Sequence, residues 1–169
     1  EALALENCPI QAEAIRMVRT ALLVRLSGPD GAIVQITSAG TGSGKSTMAI
    51  LLARSLAQCG KNVLLVDADL HQPSLAGRFV LEPAPGLINL LADKNVESQS
   101  IRATSTPKLS VLPAGQWTQR EDLELLVDGA FHALLERWRK QYDIILLDSP
   151  PLLATADAAI MSRHADGTV

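Results

Sequence analysis

Ile33-Val-Gln-Ile-Thr-Ser-Ala-Gly-Thr-Gly-Ser-Gly-Lys-Ser-Thr47 constrains the fold of this chain more than any other stretch. It opens with an apolar, β-branched run, Ile33 to Thr37, that reads as a short buried strand. Glycines then recur at Gly40, Gly42 and Gly44, and the run Met48–Leu56 resumes with helical character. A strand that feeds a glycine-rich loop and opens a helix can bring several backbone N–H groups onto phosphate oxygens, and the helix N-terminus adds its positive end. Gly40, Thr41, Gly42, Ser43, Gly44, Lys45, Ser46 and Thr47 are the residues such a loop would lay against phosphates. Lys45 can reach the β/γ-phosphates, and the Ser46 hydroxyl sits where it would bind Mg²⁺. The first position of the motif is Ala39 rather than the usual glycine. A glycine-rich turn with a surface lysine is the bland alternative, and the flanking strand and helix disfavour it. The stretch is a nucleotide-binding loop.

The rest of the chain supplies a sheet for that loop. Residues 11–26 read as a helix, with Ile15, Val18, Leu22 and Leu26 spaced to line one face. Asn62–Asp67 and Asp143–Asp148 are apolar strands that do not alternate, so each is buried on both faces. Leu109–Leu112 is another strand, closed by Pro113-Ala-Gly115. Cys59-Gly-Lys61 stops the helix after the loop. Gln72-Pro73 begins an irregular segment, and Gly86–Leu91 reads as a short helix. Leu123, Leu126, Val127, Ala130, Leu134, Leu135 and Trp138 follow helical spacing and predict a long amphipathic helix over 121–140. Leu152–Ser162 reads as a further helix. Strands alternating with helices argue an α/β fold whose mostly parallel sheet is sandwiched by helices.

A chain of 169 residues, 47% hydrophobic and 20% charged, fits one globular domain spanning 1–169. Aromatics make up only 3%, so Leu, Ile, Val and Ala must build the core, with Trp138 inside it. A net charge of −3 gives no electrostatic case for nucleic acid or an anionic membrane. Cys8 and Cys59 are too few for a metal knuckle and read as free thiols of a reducing compartment. No run approaches the ~18 apolar residues needed to span a bilayer, and no signal peptide is present. The chain lacks an initiating Met, and Ala165-Asp-Gly-Thr-Val169 looks like the opening of a strand. Both predict a domain excerpt whose sheet is cut before its last strands.

Ligands of open α/β sheets sit beyond the carboxyl ends of strands, where Asp67, Asp69 and Asp148 fall. Nucleotide phosphates bring a hard Mg²⁺ that takes oxygen ligands and keeps several waters. Asp148 follows four apolar residues and is placed to support the metal, the bland alternative being a cap or turn. Asp67 and Asp69, one residue apart, point to one side. They can hold the metal's water shell or accept a proton from an attacking hydroxyl; the alternative is an Asx-type turn. Glu13, Arg16 and Arg19 fall within an arc of about 120° on the first helix, one charged stripe or a solvated face. His71, His132 and His164 carry no signal singly.

Together these residues resemble the cytoplasmic kinase domain of the bacterial tyrosine kinases of capsule and exopolysaccharide assembly, which are P-loop NTPases. The likeness runs nearly end to end. Glu13-Ala-Ile-Arg16-Met-Val-Arg19 is similar to the family's Glu-x2-Arg-x2-Arg oligomerisation motif, and Ala39–Thr47 to its phosphate loop. Val66-Asp-Ala-Asp-Leu70 with Pro73-Ser-Leu75 resembles its second acidic motif. Pro85–Leu91, Leu112–Gly115, Tyr142–Pro151 and Asp157-Ala158 continue the match. The resemblance implies MgATP binding and autophosphorylation on a C-terminal tyrosine cluster. It also implies a ring-shaped homo-oligomer and a cytoplasmic place at the inner face of the cell membrane. Control would come from a membrane-anchored activator, either a separate protein or an N-terminal part of the same chain. It gives Lys45, Asp67 and Asp69 catalytic roles, Thr47 a place near the α-phosphate, and Ser46, Asp67 and Asp148 the metal. The second acidic motif departs from the family pattern Asp-x-Asp-x-Arg at His71, which removes a permanent cation, and the only tyrosine is Tyr142. Two alternatives stay open: a partition-type P-loop ATPase, which carries a lysine early in the loop where this chain has Gly40, and a non-catalytic ATP-binding scaffold.

Overall fold

The computed structural model describes residues 9–26, 28, 30–116 and 129–169. Among them, strands β1 (Ala32–Ile36), β2 (Val63–Asp67), β3 (Arg102–Ala103), β4 (Leu109–Leu112), β5 (Ile144–Asp148) and β6 (Gly167–Thr168) form one sheet. The order across it is β3-β4-β2-β5-β1-β6. Pairing is parallel except at the edge, where β3 runs antiparallel to β4. Every residue of β1, β2 and β5 is buried. Successive side chains enter opposite layers: Val34, Ile36, Val63, Leu65, Ile144 and Leu146 on one face, Ile33, Leu64, Val66, Ile145 and Leu147 on the other. Both faces are apolar because both are covered, which is why these strands read as continuous apolar runs.

Helices α1 (Pro9–Arg25) and α2 (Lys45–Gln58) cover the first face. α2 contributes Ala49, Ile50, Leu52, Ala53 and Leu56, and α1 adds Leu22. Next in the chain come α3 (Leu75–Phe79), α4 (Leu87–Ala92) and the short α5 (Glu97–Ser100), then α6 (Gly129–Trp138) and α7 (Asp157–Ser162). α4 and α6 cover the second face with Leu87, Leu90, Phe131, Leu134, Leu135 and Trp138. The buried Trp138 indole N–H donates to Glu97 Oε1 at 2.7 Å, and Glu97 Oε2 accepts from Arg137 at 2.6 Å. The largest core side chain therefore keeps its one polar atom satisfied.

The structure departs from the sequence reading in particular places. The segment after Gln72-Pro73 contains α3 instead of staying irregular. The last helix starts at Asp157, not Leu152. Ahead of it the chain leaves Pro150-Pro151 in turns, with Leu152 N–H donating to Ser38 O and Ala154 N–H to Pro151 O, and Leu152 and Leu153 stay exposed. The two-residue β3 gives no readable pattern. The helix over 121–140 is seen as α6; its portion at 121–128, with Trp117 and Cys8, lies outside the described residues. The closing run does pair as a strand, with Val34 opposite Gly167 and Gln35 opposite Thr168. Among the described residues no helix is long and apolar enough to cross a membrane.

Candidate functional site

Register across three adjacent strands sets the site. Ile36 at the end of β1 pairs with Asp148 at the end of β5, and Asp148 pairs with Asp67 at the end of β2. Ala68 N–H donates to Asp148 O at 2.9 Å, and Ser149 N–H to Ile36 O at 3.0 Å, so the level ends are stitched together. Beneath them the buried Gln35 side chain donates to Ser149 Oγ and to Ala158 O. From this edge β1 runs into the glycine-rich loop. Gly42 and Gly44 take left-handed φ values of +74° and +89°, which L side chains adopt only under strain. Gly44 caps α2 without a side-chain hydrogen bond, and no acidic residue occupies the first turn. The helix therefore opens with its dipole unopposed and its first N–H groups placed for an anion.

The acids gather beside this helix start. Asp67 Oδ2 accepts the N–H groups of Ser74 and Leu75, both at 2.9 Å. Among the described residues Asp67 Oδ1 is buried without a hydrogen-bond partner, and the buried Asp148 carboxylate has only the nearby Ser46 hydroxyl to satisfy it. Burial foremost pushes Asp67 up to about 7, aided by the charges of Asp148 and Asp69 and opposed by those two backbone N–H groups. Burial also lifts Asp148 to about 6, while the Ser46 hydroxyl and the charges of Lys45 and Arg78 pull it down. Asp69 Oδ2 lies 4.0 Å from Lys45 Nζ, and its Oδ1 accepts from Gln72 N–H. Asp69 thus makes the turn and faces the lysine at once.

Two buried, under-satisfied carboxylates beside a helix start suit a hard cation, whose charge would compensate their burial. Among the described residues no three acidic, His or Cys side chains converge closely enough to hold a metal on their own. Mg²⁺ fits that deficit, since it is bound by one or two carboxylates plus phosphate and water. Ser46, Asp67 and Asp148 are the residues that would hold it.

The structure brings Lys45, Ser46, Asp67, Asp69 and Asp148 together around the loop as the sequence places them. It splits the N-terminal stripe. Glu13 and Arg16 form an exposed ion pair at 2.7 Å, whereas Arg19 turns inward and donates to Ser55 of α2 at 2.9 Å. His71 meets Asp157 at 2.7 Å, tying the segment after β2 to the start of α7. Arg78 escapes sequence reading: from α3 its Nη1 donates to Thr47 Oγ1 at 3.2 Å. No motif spacing marks it. A cavity of about 530 Å³ lies at the opposite end of the strands, lined by Leu22, Gly31, Asn62, Arg139 and Tyr142, and shares no residue with the loop.

A left-handed glycine loop opening a helix beside buried strand-end acids defines a P-loop nucleotide-binding protein, and the AAA domain family matches residues 31–166. Within that class the chain belongs to the bacterial tyrosine-protein kinases. YwqD of Bacillus subtilis, a tyrosine-protein kinase, is 38% identical over 160 residues, covering 95% of this chain and 67% of the relative. The tyrosine-protein kinase wzc of Salmonella typhimurium is 31% identical over 157 residues, 93% of this chain but 22% of its own length. The kinase domain of Escherichia coli tyrosine kinase ETK superposes with a TM-score of 0.90 at 31% identity, over 99% of this chain and 66% of that one. The septum site-determining protein MinD of Pyrococcus horikoshii, solved with Mg-ADP, reaches 0.68 at 25% identity, over 82% and 56%. The chain therefore spans about two thirds of some relatives and about a fifth of others.

Proposed function

We propose that this chain is the MgATP-binding domain of a protein-tyrosine kinase that controls capsule or exopolysaccharide assembly. The observation that carries this reading is the level row of loop, Asp148 and Asp67 across β1, β5 and β2, with both strand-end carboxylates buried and under-satisfied among the described residues. The loop amides and Lys45 would hold the phosphates, Thr47 would lie near the α-phosphate, and Ser46, Asp67 and Asp148 would hold the ion. Bound MgATP would supply the phosphoryl group and the charge that balances the acids. The free Asp67 Oδ1 would serve either the ion or the proton of an acceptor hydroxyl, Oδ2 being fixed by the Ser74 and Leu75 amides. Asp69, 4.0 Å from Lys45 Nζ, would steady that lysine. The only tyrosine, Tyr142, is half-buried, so acceptor tyrosines belong to other segments or other proteins. Family membership supports a ring of identical subunits, a membrane-anchored activator or membrane-spanning N-terminal region, and a cytoplasmic place at the membrane's inner face. The closer structural likeness to ETK than to MinD, together with Gly40 in the loop, favours a kinase over a partition-type ATPase.

Calorimetric titration of ATP with and without Mg²⁺ tests the site. The wild type should bind more tightly with the ion, and Asp148→Asn should lose that difference. A wild type and variant with equal affinities under both conditions would remove Asp148 from the metal site.

A further inference from the structure

α3 is a five-residue helix pinned to the acidic strand end. The Ser74 and Leu75 amides clamp Asp67 Oδ2, Leu75 is buried, and Arg78 N–H closes back on Ser74 O at 3.2 Å. From this fixed base the Arg78 side chain crosses to α2 and donates one N–H to Thr47 Oγ1. Thr47 stands in the first turn of α2, whose start at Gly44 has no side-chain cap. A guanidinium carries five donors in a planar fork, and the hydroxyl takes one. Arg78 is exposed, so its reach toward the mouth of the loop is not blocked by packing.

The charges around the loop ask for such a group. Asp67, Asp69 and Asp148 surround it, and Lys45 already faces Asp69. The charge of Arg78 is among those that pull Asp148 down. Phosphates add negative charge beyond what one Mg²⁺ and a lysine shared with a carboxylate compensate. His71 is engaged with Asp157 at 2.7 Å.

We propose that Arg78 is a nucleotide-contacting residue supplied from outside the phosphate loop, its guanidinium, steadied by Thr47, binding a phosphate oxygen of a nucleoside di- or triphosphate. This rests on the nucleotide-binding reading above. The competing role is a tether that only holds α3 against α2, and the two predict different variants to be tolerated.

ATP and ADP are titrated, with Mg²⁺, into the full chain as wild type, Arg78→Ala, Arg78→Gln and Arg78→Lys, with melting temperatures alongside. Arg78→Ala should weaken both nucleotides about tenfold, the scale of one charge-assisted hydrogen bond. Arg78→Gln keeps a donor for Thr47 but no charge, and should stay as weak as alanine; Arg78→Lys should recover part of the loss. Wild-type affinity in Arg78→Ala, or full recovery by Gln without recovery by Lys, would overturn the proposal and leave a tether. The Lys45→Ala variant separates the two levels. If the wild type binds and Lys45→Ala does not, an unaffected Arg78→Ala removes only the arginine. If the folded wild type binds neither nucleotide, the site reading and this proposal fall together.

Discussion

Asp67 and Asp148 face each other on paired positions of β2 and β5, and burial raises them from the ordinary 3.8 to about 7 and about 6. Between those limits the folded chain holds protons that the unfolded chain has already released. Stability therefore falls as pH rises through that window and levels off above it. We predict that the ligand-free protein melts at a lower temperature at pH 8 than at pH 5. Asp148→Asn removes one of the two groups, so it should flatten the slope and raise the melting temperature at pH 8 while weakening Mg²⁺-dependent ATP binding. Thermal melts across pH check this, and an unchanged slope in the variant would contradict burial as the cause. Such a trade of stability for function is expected where charges are gathered for a ligand.

At the scale of elements, the sequence was legible where burial imposed a long pattern. β1, β2, β4 and β5 declared themselves as apolar runs, and the loop by its glycines. α3 is too short for a period to emerge, and its anchoring comes from Asp67, eight residues before Leu75. The segment from Leu152 reads as helix because it is apolar, yet Ser38 O captures its first amide. Arg78 meets Thr47 across 31 residues, a distance at which no spacing rule operates. The junction of β4 and α4 was half legible, since Pro113-Ala-Gly115 closes a strand and Gly86 opens a helix in the sequence without revealing that they touch. Leu87 N–H donates to Pro113 O at 2.8 Å and Ile88 N–H to Ala114 O at 3.0 Å. A Cβ at Gly86 would stand 2.3 Å from Gly115 N and 2.4 Å from Pro113 O, both backbone atoms. Gly86→Ala must move one element off the other, and we predict a loss of about 3 kcal/mol in urea unfolding, the upper range for overpacking. A variant as stable as the wild type would show that the junction yields freely.

For the whole molecule, assembly is the property least determined by one chain. The Glu13–Arg16 pair is 59% exposed on both sides, so it contributes only ~0.2–0.5 kcal/mol to α1. Arg16→Glu should therefore leave the fold intact while removing the charge that a neighbouring carboxylate would meet in a ring. Arg19 is best left in place, because its bond to Ser55 ties α1 to α2. Light scattering on the full chain should show an oligomer for the wild type and a lower mass for Arg16→Glu. The same oligomeric mass for both would reduce the pair to a solvated face.

Phosphoryl transfer tests the kinase assignment most directly. The full chain is supplied with γ-labelled ATP, Mg²⁺ and a tyrosine-containing acceptor polypeptide, and label on tyrosine is followed over time. The wild type should label tyrosine only when Mg²⁺ is present. Lys45→Ala, folded by circular dichroism, should be slower by about 10²–10³, the effect of removing one preorganised charge from the transition state. Labelling at the wild-type rate by Lys45→Ala, or tight ATP binding by the wild type with no label reaching tyrosine, would contradict it.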